Sequence, residues 1–441
     1  MSSSPKGSLI KNFGIFNPEE SGKPGSFADQ VSSINYYEDV TDPSVHMTIG
    51  ILDAAGRFNK LPVRSGSKID LELENDGKTL EFNDNTEPLY ISNILNYIPE
   101  AKRESYTLVL ETKSAFNNII SRVFEKYSGK LSNHVTEILK NKLGVPDDRM
   151  NIEDTSNDYD FCGGYRKPLH CCSWLAPKSI PNSGSSDTKG TAGYLFYQTQ
   201  DGYVFKSIDS LFEEVQEDKD SVPKFEYKMD KSTLDPGANT FTFNSQPVVS
   251  DNHNIVEQLS SGQFRTANYY YDIITRKPTF VEYSYTDSIA TGALLGAKGG
   301  SAAAAAGRGL ASGVMKVSAE LANVPKTFKD NYSRIMLSIV DNGSLSAKGN
   351  LKTPSDQFLY QAQASTRYSS LYSQSIHITV PLNVDLRAGM MIYLKLPEIN
   401  KTTTDGPTSG FYLVSKLCHQ FGGEGDATGL SLVRDSYLEL T

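Results

Sequence analysis

Cys162, His170, Cys171 and Cys172 lie within one short segment, and thiolate plus imidazole is the donor set that holds zinc. The spacing argues against it. Two separated ligand pairs are missing, and two adjacent cysteines of an extended chain face opposite ways. Trp174 and Leu175 beside them suit a buried apolar cluster in which small thiols are filler. Asp158-Tyr159-Asp160 lacks the further oxygen ligands of a calcium loop, and Gly292 to Ser301 has no Gly-Lys-Ser/Thr to cradle phosphate. A nucleophilic hydrolase needs an activated serine or cysteine with a base, but no Gly-x-Ser-x-Gly and no His-Glu-x-x-His occurs. The six histidines are scattered, and His46 and His377 fall inside strand-like stretches, where an imidazole is a sheet side chain. The expectation is a protein without catalytic residues, metal or cofactor.

Bulk composition narrows the class further. A chain of 441 residues exceeds what one core supports, so two to four domains are expected. The net charge of −9, with no run of Lys or Arg, argues against gripping nucleic acid, because phosphate neutralisation needs clustered cations. Four cysteines cannot staple a chain this long, and the start Met1-Ser-Ser-Ser-Pro5-Lys6-Gly7 lacks an apolar signal core, so synthesis in a reducing cytoplasm is expected. No stretch approaches 18 uncharged apolar residues; the closest, Ile289 to Ala306, is mostly Gly and Ala rather than a membrane span.

What must position any working surface is a repeat. Val45-His46-Met47-Thr48-Ile49 returns as Ile376-His377-Ile378-Thr379-Val380. Arg64-Ser65-Gly66-Ser67-Lys68-Ile69-Asp70-Leu71-Glu72-Leu73 returns as Arg387-Ala388-Gly389-Met390-Met391-Ile392-Tyr393-Leu394-Lys395-Leu396, an offset of 323 (387 − 64). Leu89-Tyr90-Ile91 aligns with Phe411-Tyr412-Leu413, and Thr107-Leu108-Val109-Leu110 with Gly429-Leu430-Ser431-Leu432, both at 322. Apolar residues at period two, broken by Gly, Asn and Pro turns, mean antiparallel strands with one buried face. The fold class expected is mainly β with α+β insertions: two similar antiparallel β-barrels with an α+β domain between them.

The pattern divides the chain as follows. Residues 1–30 read as an N-terminal arm whose few apolar residues await a partner, and 31–111 as the first barrel. Residues 112–222 form the α+β domain. It holds a helix capped by Ser114 and carrying Phe116, Ile119, Ile120, Val123, Phe124 and Tyr127. A second helix is capped by Ser132 or Asn133 and stopped by Gly144 and Pro146, and a hairpin runs through Tyr194–Thr199 and Tyr203–Lys206. Residues 223–250 and 350–441 make the second barrel, which is completed from Tyr368 to Tyr437. Residues 251–349 are an insertion with a helix capped by Asp251, strands near 264–274, 279–285 and 332–337, and a Gly/Ala-rich linker at 290–313.

Arg367 through Pro381, Asp385-Leu386-Arg387-Ala388-Gly389, Ser409 through Val414 and Leu432-Val433-Arg434-Asp435 together resemble the baseplate hub protein of contractile-tailed bacteriophages, as does Tyr197 through Ile208 in that family's middle domain. The resemblance implies two tube-type barrels per subunit and a homotrimeric ring. Such a ring would sit between a six-fold tail tube and a three-fold spike, with baseplate wedge proteins around it and DNA passing through unbound, all in the virion tail. Six similar barrels from three chains would resolve the symmetry mismatch, and lumenal acids would keep DNA moving. Candidate interface residues are the repeat-matched Arg64, Lys68, Arg387 and Tyr393, although the two arginines serve equally well as turn braces. The rivals are the equivalent hub of a tailocin or type VI-like machine, where a fused chain would continue past Thr441 into a spike, and a carbohydrate-binding or hydrolytic tail protein.

Overall fold

The computed structural model describes residues 9–16, 25–56, 58, 63–182, 192–208, 210–211, 222–228, 233–235, 240–252, 254–262, 264–284, 327, 331–340, 357–398, 401–405, 408–422 and 425–434. The expected linker at 290–313 lies outside them. The first unit contains β1 (Leu9–Phe16), β2 (Val31–Asp39), β3 (His46–Asp53), β4 (Lys68–Asn75), β5 (Lys78–Phe82), β6 (Leu89–Pro99) and β7 (Glu104–Thr112). Its alternation is clean: β4 buries Ile69, Leu71 and Leu73 and turns Lys68, Asp70 and Glu72 outward. The middle domain has helices α1 (Lys113–Ile120), α2 (Leu131–Ile138) and α3 (Pro168–Leu175), then the hairpin β8 (Tyr194–Thr199) and β9 (Gly202–Ser207).

β10 (Lys224–Tyr227), β11 (Thr240–Phe243) and β12 (Val248–Asn252) open the second unit. Next come α4 (Ile255–Ser260) and a separate small sheet of β13 (Arg265–Asp272), β14 (Lys277–Ser284) and β15 (Arg334–Ile339). The second unit is completed by α5 (Gln357–Leu371), β16 (Gln374–Pro381), β17 (Met391–Lys395), β18 (Gly410–Gly422) and β19 (Ala427–Arg434).

Strand order carries the duplication. Antiparallel pairing runs β2-β3-β7-β6-β4 in the first unit and β12-β16-β19-β18-β17 in the second. β18 also pairs along β2, Lys416 opposite Asp39 through Gly422 opposite Ser33, so both units belong to one 16-stranded curled sheet. A single apolar core threads them, from Phe13 and Tyr36 through Leu108 to Ile392, Val414 and Leu432. The fold is mainly β, as the alternation indicated.

Local details repeat as well. A β-bulge after Ile91 in β6 recurs after Val414 in β18. In each, the bulged serine closes onto the strand opposite: Ser92 Oγ donates to the Val109 carbonyl at 3.1 Å, and Ser415 Oγ to the Ser431 carbonyl at 2.9 Å. The turn before β4 recurs before β17, with Gly66 at φ +91° and Gly389 at φ +83°, a region open to glycine. The Gly66 amide donates to Ile91 O at 2.7 Å, and the Gly389 amide to Val414 O at 2.8 Å.

Several local expectations change. Leu9–Phe16 is no free arm: β1 pairs along the outer edge of β4 and buries Phe13. Thr112, not Ser114, caps α1, accepting from the Ala115 amide at 3.3 Å, and the helix ends at Ile120, with Lys126–Tyr127 pairing as a short strand to Phe161–Cys162. Lys130 precedes α2; Ser132 instead exchanges hydrogen bonds with Thr155 (3.1 and 3.3 Å), and Gly144 ends the helical run at φ +74°. Asn254 rather than Asp251 caps α4, since Asp251 sits in β12. Tyr368 is helical, within α5. The bulge pairing places Leu89-Tyr90-Ile91 on Tyr412-Leu413-Val414, one residue from the sequence alignment, and His46 on Ser375, two residues from it. A one-residue slip exchanges faces, whereas a two-residue slip keeps them.

Candidate functional site

The strongest polar cluster sits where the three parts meet. β2 buries Ile34, Tyr36 and Glu38 on one face, so the alternation carries a carboxylate inward at the strand's end. Glu38, 2% exposed, accepts from the Gln200 amide at 2.8 Å, the Ala388 amide at 2.7 Å and the Tyr36 hydroxyl at 2.8 Å. One side chain thus ties the first unit to the β8–β9 turn and to the Arg387–Met390 turn. Burial raises the Glu38 pKa, and the nearby Arg387 guanidinium opposes that rise.

Arg387 braces this junction rather than projecting outward. Its guanidinium donates to Leu386 O at 2.9 Å and to Val384 O, Gln200 Oε1 and, at 3.1 Å, Asp201 Oδ2. Behind it His419 stacks on Tyr36, takes the Thr428 hydroxyl at 2.9 Å and meets Leu386 O at 3.2 Å. Burial first, then Arg387, depresses the His419 pKa to about 3, so the ring is neutral and its Nε2–H donates to the carbonyl. The arrangement is a positional lock.

The four candidate interface residues do not share one surface. Arg64 is exposed, its carbonyl accepting from Ser67 N at 3.1 Å. Lys68 pairs with Asp84 and Asp70 and lies 4.8 Å over the Phe16 ring. Tyr393, the counterpart of Asp70 in the second copy, is buried with Phe411, Met391, Leu195 and Tyr197 in a second apolar core. The reason is legible in the repeat: outward positions Lys68, Asp70, Tyr90 and Glu111 in the first unit become Met391, Tyr393, Leu413 and Val433 in the second, where the β8–β9 hairpin packs. Identical spacing therefore coexists with opposite environments.

Cys171 and Cys172 are fully buried on α3 among Leu131, Leu175 and Phe161, while His170 and Cys162 are exposed. Burial pushes the Cys171 thiol up to about 11 and raises the Cys172 thiol well above its ordinary value. Among the described residues no group of three or more His, Cys, Asp or Glu is placed to hold a metal. No described helix is long and apolar enough to cross a membrane. Apolar side chains that stand outward include Leu95, Tyr97 and Ile98 on β6, Val248 and Val249 on β12, and Ile335, Leu337 and Ile339 on β15.

No family model matches the chain. It is 24% identical over 335 residues to the probable baseplate hub protein gp334 of Vibrio phage KVP40, covering 74% of this chain and 70% of that one. Two solved structures share its fold at 9% identity. They are the 43 kDa tail protein of prophage MuSo2 from Shewanella oneidensis (TM-score 0.54, 98% of this chain and 99% of that one) and a tail protein from Neisseria meningitidis MC58 (TM-score 0.52, 98% and 97%). In sequence the chain is similar to a phage baseplate hub protein, and in fold it is similar to phage tail proteins.

Proposed function

We propose that the protein is a non-enzymatic hub of a contractile phage tail baseplate. Three copies close into a ring that adapts a six-fold tail tube to a three-fold central spike and leaves a channel for DNA. The observation that carries this reading is the repeated strand order, β2-β3-β7-β6-β4 and β12-β16-β19-β18-β17, joined side by side in one sheet. A subunit bearing two equivalent modules presents six to one neighbour while remaining three to another. The Glu38–Arg387 junction would hold the modules at the fixed angle that such a ring needs. Tube, spike and wedge proteins are the partners this assigns, and Arg64 and Lys68, on the polar outer face of the first module, remain candidate contacts.

Light scattering on the purified full chain, alone and with its spike partner, tests the reading: a species of three chain masses is expected. A persistent monomer in both samples overturns it. The hydrolytic alternative calls for a peptidoglycan-digestion assay, where activity above background would displace the structural role.

A further inference from the structure

The contact joining the two modules inside one chain has an unused equivalent on its outside. β2 pairs with β3 on one edge and with the later half of β18 on the other. Its counterpart β12 pairs with β16, and among the described residues nothing pairs with its other edge; Val248 and Val249 there are 56% and 41% exposed. The counterpart of β18 is β6. Beyond Ile91, among the described residues, no strand pairs with the edge of β6 that faces away from β7, and Leu95, Tyr97 and Ile98 are 43%, 42% and 52% exposed. Here the Ile94 amide is met by the neighbouring Asn93 side chain at 2.8 Å. Unpaired apolar edges of this kind are templates for a further strand.

We infer that β12 of one copy pairs antiparallel with the open edge of β6 on the next copy, repeating between chains the β2–β18 contact made within each. The occupant is a second copy because the chain itself carries both matching edges. The chain makes this contact once internally and leaves the same two edges free, a head-to-tail arrangement that closes when copies are added in a ring. Its lengths also agree. β12 has five residues, and β6 is bulged between Leu95 and Ile98, with Asn96 at φ +52°, so only a short partner strand fits. Tracing the internal register across the repeat sets Asp251 opposite Leu95 and Val248 opposite Ile98. This deepens the ring reading and rests on it.

Directly opposed antiparallel residues have Cα atoms about 4.5–5.5 Å apart, within disulfide reach. The test is therefore the full chain carrying Ile98→Cys with Val248→Cys, or Leu95→Cys with Asp251→Cys, in a Cys162→Ser background. After mild oxidation, a covalent trimer on a denaturing gel is expected from at least one pair, with single-cysteine variants staying monomeric. A trimer by light scattering that cross-links at neither pair overturns the edge pairing and leaves the ring standing. Absence of any trimer removes both. As a second arm, Leu95→Asp with Ile98→Asp, both already solvent-facing, should weaken self-association at least a hundredfold while leaving the circular dichroism of the chain unchanged. An unaltered trimer in that variant also overturns the inference.

Discussion

Replacing Arg387 with methionine removes the cation set against the buried Glu38 carboxylate among the described residues, while keeping an unbranched apolar stem. The Arg387 side chain is 13% exposed, and it holds the β8–β9 turn through Gln200 and Asp201 and the turn ahead of β17 through Val384 and Leu386. Breaking a buried pair from one side costs about 3–5 kcal/mol. Some of this is recovered if Glu38 takes up a proton, which its raised pKa makes easier. A net loss of about 3 kcal/mol corresponds to roughly a hundredfold change in a local opening equilibrium. The amides of Gln200 and Ala388 report that opening directly, since both donate to Glu38. Hydrogen exchange of peptides spanning them should accelerate about a hundredfold in Arg387→Met, and less than threefold in Arg64→Met, whose side chain is exposed. Equal, small effects at both arginines would refute the assignment of Arg387 as the lock.

Alanine at Gly389 would drive its Cβ into the Tyr197 hydroxyl, whereas alanine at Gly66, at a similar positive φ, meets nothing within 4 Å; thermal denaturation should show Gly66→Ala costing about 1 kcal/mol and Gly389→Ala clearly more. His419 has a folded pKa of about 3 against 6.5 unfolded, so the unfolded chain binds the extra proton between those values. Its contribution is complete above pH 6.5 and falls as pH drops through that window by about 1.4 kcal/mol per unit, and urea titrations at pH 7 and 5 should show His419→Gln losing that part of the slope. Ser92→Ala and Ser415→Ala each remove one bulge hydrogen bond and should cost a similar amount, about 1 kcal/mol apiece, by the same titrations.

The strands were legible because their alternation is local: Ile69, Leu71 and Leu73 are buried as their spacing demands, as are Ile392, Leu394 and Leu396. The 323-residue offset over Arg64–Leu73 survives in the structure because both turns carry the same glycine in the same backbone hydrogen bond. Alignment failed by one residue at Leu89–Ile91, because a bulge adds a residue that hydropathy does not mark. Surface placement failed for Tyr393 because the sequence comparison weighed position and ignored the change from Asp70 to tyrosine, which was the signal of a packed outer face. Glu38 was visible too, as a charge on the buried register of β2, but its partners at Gln200 and Ala388 are far away in sequence and pattern reading cannot reach them. The arm fell short in the same way, since the apolar residues of Leu9–Phe16 find their partner in β4 of the same chain.

In the proposed ring the two modules of each chain are interchangeable positions. A cryo-electron microscopy reconstruction of the purified assembly, computed without imposed symmetry, measures this directly. Three chains should appear as six curled modules at one radius and height, spaced by about 60°, with alternate contacts made by β2–β18 and β6–β12. Density showing the first and second modules of a chain at different radii or heights, or a closed assembly of another copy number, would contradict the account.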